Sequence, residues 1–497
     1  MIDERRIVRR VWTRGPCRLG LLGLVTLTAL LPPPARAASP SAPGLRAALS
    51  TRWRGDLDGM IKRRQVRILV THSKTFYFVD RGRQRGATYD LGRAFEDDLN
   101  RRLRTGHLKV NVVFIPVSRD ELLPGLRDGR GDIAAANLTI TDERRALVDF
   151  SAPLHTGVAE VVVTGSASPP ITTAHDLAGQ EVFVRKSSSY HESLVRLNGE
   201  LERTGKPPVR LRLAPESLED EDLLEMVNAG LVRLVVVDSH KAEFWAQVLP
   251  RLRLHPEAAV RTGGEIAWAF RKGSPRLKAA MDRFVMRHRT GTAFGNQTFQ
   301  RYLRSTKFVR SALDPAEVAK YERTIGFFRK YGDRYGFDYL MLTAQGYQES
   351  QLDHTRRSPA GAIGVMQVLP ATGRQMQVGD VRRLDPNVHA GVKYLRFMTD
   401  RYFADAPMTE VDKTLFAFAS YNAGPAKLAR LRREAARVGL NPNVWFNHVE
   451  RVAAQQIGRE TVQYVSNIYK YYVAYRLLED EREERDRTRI RLGLTAS

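Results

Sequence analysis

The 497-residue sequence predicts a two-lobed α/β module followed by an all-helical module. Three observations carry that expectation. A single hydrophobic core stops growing at about 250–300 residues, so a chain of this length divides into two or three domains. From Val66 to about Gly273, short apolar runs alternate with amphipathic stretches, the rhythm of parallel strands joined by crossover helices. After about Ser311 the strand-like runs stop and the apolar spacing is helical.

Taken in order, Arg5, Arg6, Arg9, Arg10, Arg14 and Arg18 precede a largely apolar run from Leu19 to Leu31. Pro32 to Pro34 and Ala35-Arg36-Ala37 follow, so residues 1–37 read as a secretory signal peptide cut before Ala38. A membrane anchor is the competing reading, but the run falls short of the roughly 20 residues that a spanning helix needs. Residues 38–62, rich in Ser, Pro, Ala and Arg, read as a flexible leader. The α/β module is placed at 63–308. Its strands are "VRILVT" (66–71), "LKVNVVFI" (108–115), "DIAAAN" (132–137), "QEVFVR" (180–185), "VRLRLA" (209–214) and "RLVVVD" (233–238). Helices are expected at 89–103, 119–129, near 190–203 and at 221–230. "VAEVVVTG" (158–165) and "EIAWAFRKG" (265–273) read as strands crossing between two lobes. The helical module is placed at 313–480, with helical spacing at 315–336 and 449–478. Residues 481–497 read as a charged tail that frays.

With 43% hydrophobic and 27% charged residues the chain is globular. Its formal charge is +24. Residues 1–37 hold seven Arg, one Asp and one Glu, a net +5, which leaves +19 after cleavage. Such a surface favours polyanions: nucleic acid, anionic lipid or a carboxylate-bearing polymer. Export sets nucleic acid aside and leaves a cell-wall glycan with acidic peptide stems, together with peripheral membrane contact. The only cysteine, Cys17, leaves with the signal, so the mature chain has neither disulfide nor thiol chemistry, which suits a bacterial periplasm. There is no GxxxxGK loop, HExxH or cysteine cluster, and His72, His354, His389 and His448 are scattered. No metal or nucleotide cofactor is expected.

The chemistry centres on Glu349, late in the helix-like "LMLTAQGYQES". Leu340, Leu342 and Ala344 make its surroundings apolar, which disfavours the charged carboxylate and raises its pKa. Delivering a proton near neutral pH requires a rise from about 4.3 to roughly 6–7. Glycoside hydrolysis takes a second carboxylate as nucleophile or base, and Asp353 at i+4 is the candidate. "DHTRRSPAGAIG", however, reads as a helix end and loop, in which Asp353 caps the turn or meets Arg356 or Arg357. A lone acid suffices if a hydroxyl of the substrate is the nucleophile.

Glu349-Ser350, "SPAGAIGVMQVLPATG" (358–373), "SYNAG" (420–424) and "ETVQYV" (460–465) resemble, in order and spacing, the motifs of family 23 soluble-lytic-transglycosylase-type domains. The resemblance covers 313–480. It implies a lysozyme-like helical fold and non-hydrolytic cleavage of the MurNAc–GlcNAc bond of peptidoglycan, leaving 1,6-anhydro-MurNAc ends. It makes Glu349 the acid/base and places Ser350, Met366, Gln367, Tyr421, Asn422, Glu460 and Tyr464 in the substrate cleft or around the acid. The residue types suit that: Gln367 and Asn422 offer paired donors and acceptors to acetamido groups, Tyr421 and Met366 offer apolar walls, and Tyr464 can bond a carboxyl. Val365 stands where Leu is more usual, and Asp353-His354 where Asn-Pro is common.

"GATYDLGRAFEDDL" (86–99) and "LRDGRGDIAAANLTITDERRALVDFSAPL" (126–154) resemble the family 3 periplasmic solute-binding proteins, over about 65–305. That resemblance makes Arg144 the clamp for a ligand carboxylate, with Asn137 and Thr139 beside it, and Asp238 the partner of the ligand amine. It puts Lys186 to Ser189, with Ser187 and Ser188 central, at the ligand oxygens. A planar guanidinium suits a carboxylate. The competing reading is a retained scaffold whose pocket no longer binds. The whole order resembles the membrane-bound lytic transglycosylase F family, which implies muropeptides or amino acids as regulatory ligands and a place on the inner face of the outer membrane. Two readings stand against the regulated enzyme: an exported binding protein with an inactive wall-anchoring helical part, and a hydrolytic lysozyme using Asp353.

Overall fold

A computed structural model describes residues 52–165, 171–312, 315–404 and 406–495. The signal peptide and most of the leader lie outside the described residues. In the first lobe, β-branched runs bounded by polar turns form β1 (Gln65–Val70), after which helix α1 (Ala87–Leu103) buries Phe95 and Leu99. β2 (Asn111–Pro116) and β3 (Ile133–Thr139) flank β1 in parallel, with Ile68 opposite Phe114 on one side and Ile133 on the other. The chain leaves along β4 (His155–Thr164) to the second lobe. There β5 (Glu181–Arg185) leads into α2 (Ser189–Arg203), and β6 (Arg210–Ala214) pairs β5 in parallel.

Helix α3 (Asp220–Ala229) opens on three acids, Asp220, Glu221 and Asp222, which complement the positive end of its dipole. β7 (Leu234–Asp238) and α4 (Ser239–Ala246) complete the lobe, and β8 (Arg261–Phe270) returns. β4 and β8 run antiparallel between the lobes, so one sheet in the order β7-β4-β8-β3-β1-β2 passes through both. The parallel pairing predicted from the sequence holds within the lobes, and the crossing strands pair antiparallel.

The helical module contains α5 (Pro315–Tyr335), α6 (Tyr339–Ser350), α7 (Leu384–Phe403), α8 (Glu410–Ala423) and α9 (Arg459–Arg491), with shorter helices between. It shares a hydrophobic core with the first lobe: Leu69, Val113 and Ala134 belong to the same buried cluster as Phe328, Leu342, Val365, Phe416 and Ile468. Charge pairs lock the seam. Lys470 of α9 lies 2.8 Å from Glu96 of α1, and the Arg64 fork meets both oxygens of Glu450 at 2.6 and 3.0 Å. Among the described residues, no helix is long and apolar enough to cross a membrane.

Two boundaries differ from the sequence reading. The first lobe begins before residue 63: the Arg63 guanidinium stacks on Trp53 at 4.0 Å, Asp56 caps a helix at Leu57–Lys62, and Met60 is buried. At the other end, residues 481–491 do not fray but continue α9. Their mixed charges look solvated in sequence, yet Arg485 and Arg489 are buried against the second lobe. Arg485 lies 2.8 Å from Asp222, and Arg489 pairs with Asp222 and, at 3.0 Å, with Glu225. Arg485 also bonds His72 of the first lobe. The last turns of α9 therefore strap both lobes to the helical module.

Candidate active site

Helix α6 is built to present its last turn. Asp338 caps it by accepting the Leu340 N–H at 2.9 Å. Gly346 lets it approach α5, since a Cβ there would come within 2.6 Å of the Phe328 ring. Gln351 and Leu352 both take left-handed backbone angles, φ 59 and 61, so the chain reverses at once after Ser350. Glu349 is thus left on the final turn, half-buried.

Burial pushes the Glu349 pKa up from 4.5 to about 7, against the opposing pull of the Tyr464 hydrogen bond and the Arg356 charge. The Tyr464 hydroxyl donates to Oε1 at 2.5 Å, while Gln345 Nε2 donates to the Tyr464 oxygen at 3.2 Å. Asp353 does not share this face. The left-handed turn carries it away to accept from the Thr355 hydroxyl at 2.7 Å and the Thr355 N–H at 2.8 Å, bonds that hold its carboxyl below the ordinary range. Asp353→Asn is therefore expected to leave turnover of peptidoglycan within about twofold of wild type, as for an exposed substitution worth roughly 0.5 kcal/mol, in an assay of soluble product release.

The loop after α6 folds back onto the helix end, where the Val365 carbonyl accepts the Ser350 hydroxyl at 2.9 Å. Gly364 needs its φ of 76, and a Cβ there would meet His354 Nδ1 at 2.5 Å. Asn387 of α7, fully buried, holds the loop: its Oδ1 accepts the Met366 N–H at 3.0 Å, and its Nδ2 donates to the carbonyls of Ile363 at 2.8 Å and Val381 at 3.0 Å. Sequence reasoning missed Asn387. The available signal is that it falls on the buried i, i+4, i+8 stripe of α7 with Gly391 and Leu395. It also missed Tyr394, which packs edge-on against Tyr421 with centroids 5.7 Å apart.

The predicted site residues divide into two kinds. Tyr464 and Tyr421 stand by Glu349. Burial and then the Glu349 charge push both phenols well above their usual pKa. Gln367 is half-buried with φ 45, and its Nε2 donates to the Gly364 carbonyl at 2.8 Å. Asn422, at the end of α8, accepts from the Thr461 hydroxyl at 2.6 Å. Glu460 is exposed on the first turn of α9, one turn before Tyr464 and on the same face.

Ser350 and Met366 are interior. The Ser350 hydroxyl bonds the Gly346 and Val365 carbonyls (3.2 and 2.9 Å), and the Met366 carbonyl accepts the Tyr421 hydroxyl at 2.7 Å. Both side chains are buried, so Met366 fills the core beside Gly391 rather than walling a sugar ring.

The other predicted group gathers between the lobes. Asn137 and Thr139 end β3, Arg144 lies on the short helix Asp142–Leu147, Ser187 and Ser188 precede α2, and Asp238 ends β7. Asn137 Nδ2 donates to Asp238 Oδ2 at 2.8 Å across the cleft, and Arg144 Nη2 to the Ser187 carbonyl at 3.0 Å.

Residues 66–295 match the bacterial extracellular solute-binding proteins, family 3, and residues 326–441 match the transglycosylase SLT domain. The chain joins a family 3 solute-binding module to an SLT transglycosylase domain. Similar proteins carry the name membrane-bound lytic murein transglycosylase F. The one from Desulfosudis oleivorans is 27% identical over 446 residues, 84% of this chain and 92% of its own. One from Pseudomonas fluorescens is 28% identical over 432 residues, 82% of this chain and 84% of its own. Among solved structures, an ancestral arginine-binding protein bound to arginine is 22% identical, with a TM-score of 0.40 over 48% of this chain and 97% of its own. The SLT match takes in Glu349, Gln367, Tyr421 and Asn422, while Glu460 and Tyr464 follow it on α9. The solute-binding match takes in Arg144 and Asp238.

Proposed function

We propose that this chain is a lytic transglycosylase of the murein wall in which Glu349 is the single acid/base. One observation carries the assignment. A half-buried carboxyl with a pKa of about 7 is held by one phenol, while the nearest sequence candidate for a second carboxylate is committed to its own turn.

The chemistry follows from that arrangement. With Tyr464 on Oε1, Oε2 is left for the substrate. Protonated Glu349 gives its proton to the glycosidic oxygen as the bond from C1 of MurNAc to the GlcNAc oxygen breaks. The resulting carboxylate takes a proton from the C6 hydroxyl of the same MurNAc as that oxygen bonds C1. The product is a 1,6-anhydro end, no water is consumed, and Glu349 is again protonated. By the chemistry of their side chains we assign Gln367 and Asn422 to the acetamido groups and Glu460 to the approach along α9. The name the relatives carry, with its words membrane-bound and murein, supports a place at a membrane facing the murein wall. The family 3 match supports a solute-binding fold for the N-terminal module, with its cleft between the lobes.

Mass spectrometry of sacculi digested by the purified protein tests the assignment. Anhydro-MurNAc ends are expected; reducing ends would indicate a hydrolase, and undigested sacculi a binding protein. The Tyr464 bond favours the carboxylate, so Tyr464→Phe is expected to raise the Glu349 pKa further. The alkaline fall of kcat/KM should then move upward from pH about 7, and turnover should drop about tenfold for loss of a charge-assisted bond worth roughly 1.5 kcal/mol. A pH-rate profile of the variant checks both.

A further inference from the structure

The cleft between the lobes holds groups that suit a zwitterion, and each of them meets an oppositely charged or polar group of the protein itself, although Asp238 Oδ1 and Glu192 Oε2 are buried without a hydrogen-bond partner. A ligand with a carboxylate and an ammonium would need a guanidinium fork, donors at a helix N-terminus, and an acid. The fork is Arg144, which is buried. Its Nε lies 3.3 Å from Glu192 of α2, its Nη1 donates to the Thr139 carbonyl at 2.9 Å, and its Nη2 donates to the Ser187 carbonyl at 3.0 Å. All three of its nitrogens have partners. At the N-terminus of α2, the Ser187 N–H and hydroxyl donate to the two oxygens of Glu216 at 3.0 and 2.5 Å. The acid is Asp238, whose Oδ2 lies 3.0 Å from Lys241 Nζ and accepts from Asn137. Lys241 is buried and reaches Asp220 at 2.6 Å with the same ammonium.

The lobes also meet directly. Arg119 of the first lobe forks onto Glu219 of the second at 3.0 and 2.6 Å, and the Lys74 N–H donates to Glu221 at 2.5 Å.

We propose that the solute-binding module is self-ligated: Glu192 and Glu216 take the places of a ligand carboxylate, Lys241 takes the place of its ammonium, and the lobes stay closed on these tethered groups. A side chain fixed in the cleft competes at an effective concentration no free solute of equal charge matches. A free α-amino acid, which brings only those two charges, is therefore excluded. Truncating Lys241 would leave Asp238 a buried acid without its cation, while Asp220 keeps Arg185, and a small exogenous amine can refill the gap.

A spin-labelled chain tests this directly. With its one cysteine replaced (Cys17→Ser), spin labels at Arg101→Cys on α1 and Val195→Cys on α2 report the distance between the lobes; both positions are exposed. One narrow distance is expected, unchanged by millimolar amounts of each common L-amino acid, together with no saturable heat in calorimetry. An open or mixed distribution, whether or not an amino acid closes it, would overturn the proposal, as would saturable binding of any of them. In parallel, Lys241→Ala is expected to melt several degrees lower and to recover part of that fall in millimolar ethylammonium, which leaves wild type unchanged. An equal response of both proteins to ethylammonium would count against Lys241 as the internal ammonium.

Discussion

Glu349→Gln stops lysis of sacculi and raises the melting temperature above neutral pH. The amide is nearly isosteric and can still accept the Tyr464 bond at Oε1, but it cannot carry the proton, so turnover falls by about 10³–10⁴-fold. The stability gain comes from the same burial that suits the acid to its task. Glu349 has a folded pKa of about 7 against 4.5, so the folded protein keeps a proton there that the unfolded chain has lost. The carboxyl costs nothing below the unfolded value. Its penalty grows as pH rises from about 4.5 to 7 and is complete above that, at most ~3 kcal/mol, from about 1.36 kcal/mol per pKa unit. Gln carries no such penalty. Thermal melts of both proteins at pH 4 and pH 8 should therefore coincide at the acid end and separate at the alkaline end. Variant melts that track wild type at both pH values would mean that Glu349 ionises normally.

Asp222→Ala should destabilise the whole chain by on the order of 3–5 kcal/mol, the usual result of removing one partner from a buried ion pair. Asp222 is fully buried and carries the contacts of both Arg485 and Arg489, and it also caps α3 by accepting the Glu219 N–H at 2.8 Å. Without it two cations of α9 face the second lobe, and Arg489 keeps Glu225 as its acid and the Thr495 carbonyl. Because α9 also carries Tyr464 and Lys470, the loss is expected as one cooperative transition at lower temperature in calorimetry. A separate early transition of the solute-binding module would mean that α9 does not bind the two modules into one unit.

Much of this architecture is legible in the residues because strand and helix periods are local properties. The rhythm from Val66 to Gly273 marks the longer strands within a few residues but not the two- and three-residue ones at Phe78–Asp80, Arg83–Arg85, Asp149–Phe150 and Arg253–His255. Glu349 stands out as an acid at the end of an apolar helix. What escapes is non-local. Arg485 and Arg489 read as solvated charges because their partners lie more than 260 residues away in sequence, in α3. Ser350 and Met366 belong to the motif that marks the cleft, yet the Gln351–Leu352 reversal and the Asn387 clamp draw both inside. Nothing in the spacing of a motif tells a scaffold position from one that faces substrate. The lobe cleft teaches the same point: Arg144 and Asp238 can be picked out from the sequence, whereas their pairing with Glu192 and Lys241 is a matter of three-dimensional closure.

The central claim is that one carboxyl performs the cleavage with an internal hydroxyl and no water. It is tested most directly by digesting sacculi in heavy-oxygen water and weighing the new MurNAc ends as they form. The single-acid mechanism predicts anhydro ends that carry no label. Label at the anomeric carbon of the newly formed ends would show that water is the nucleophile and would contradict the account.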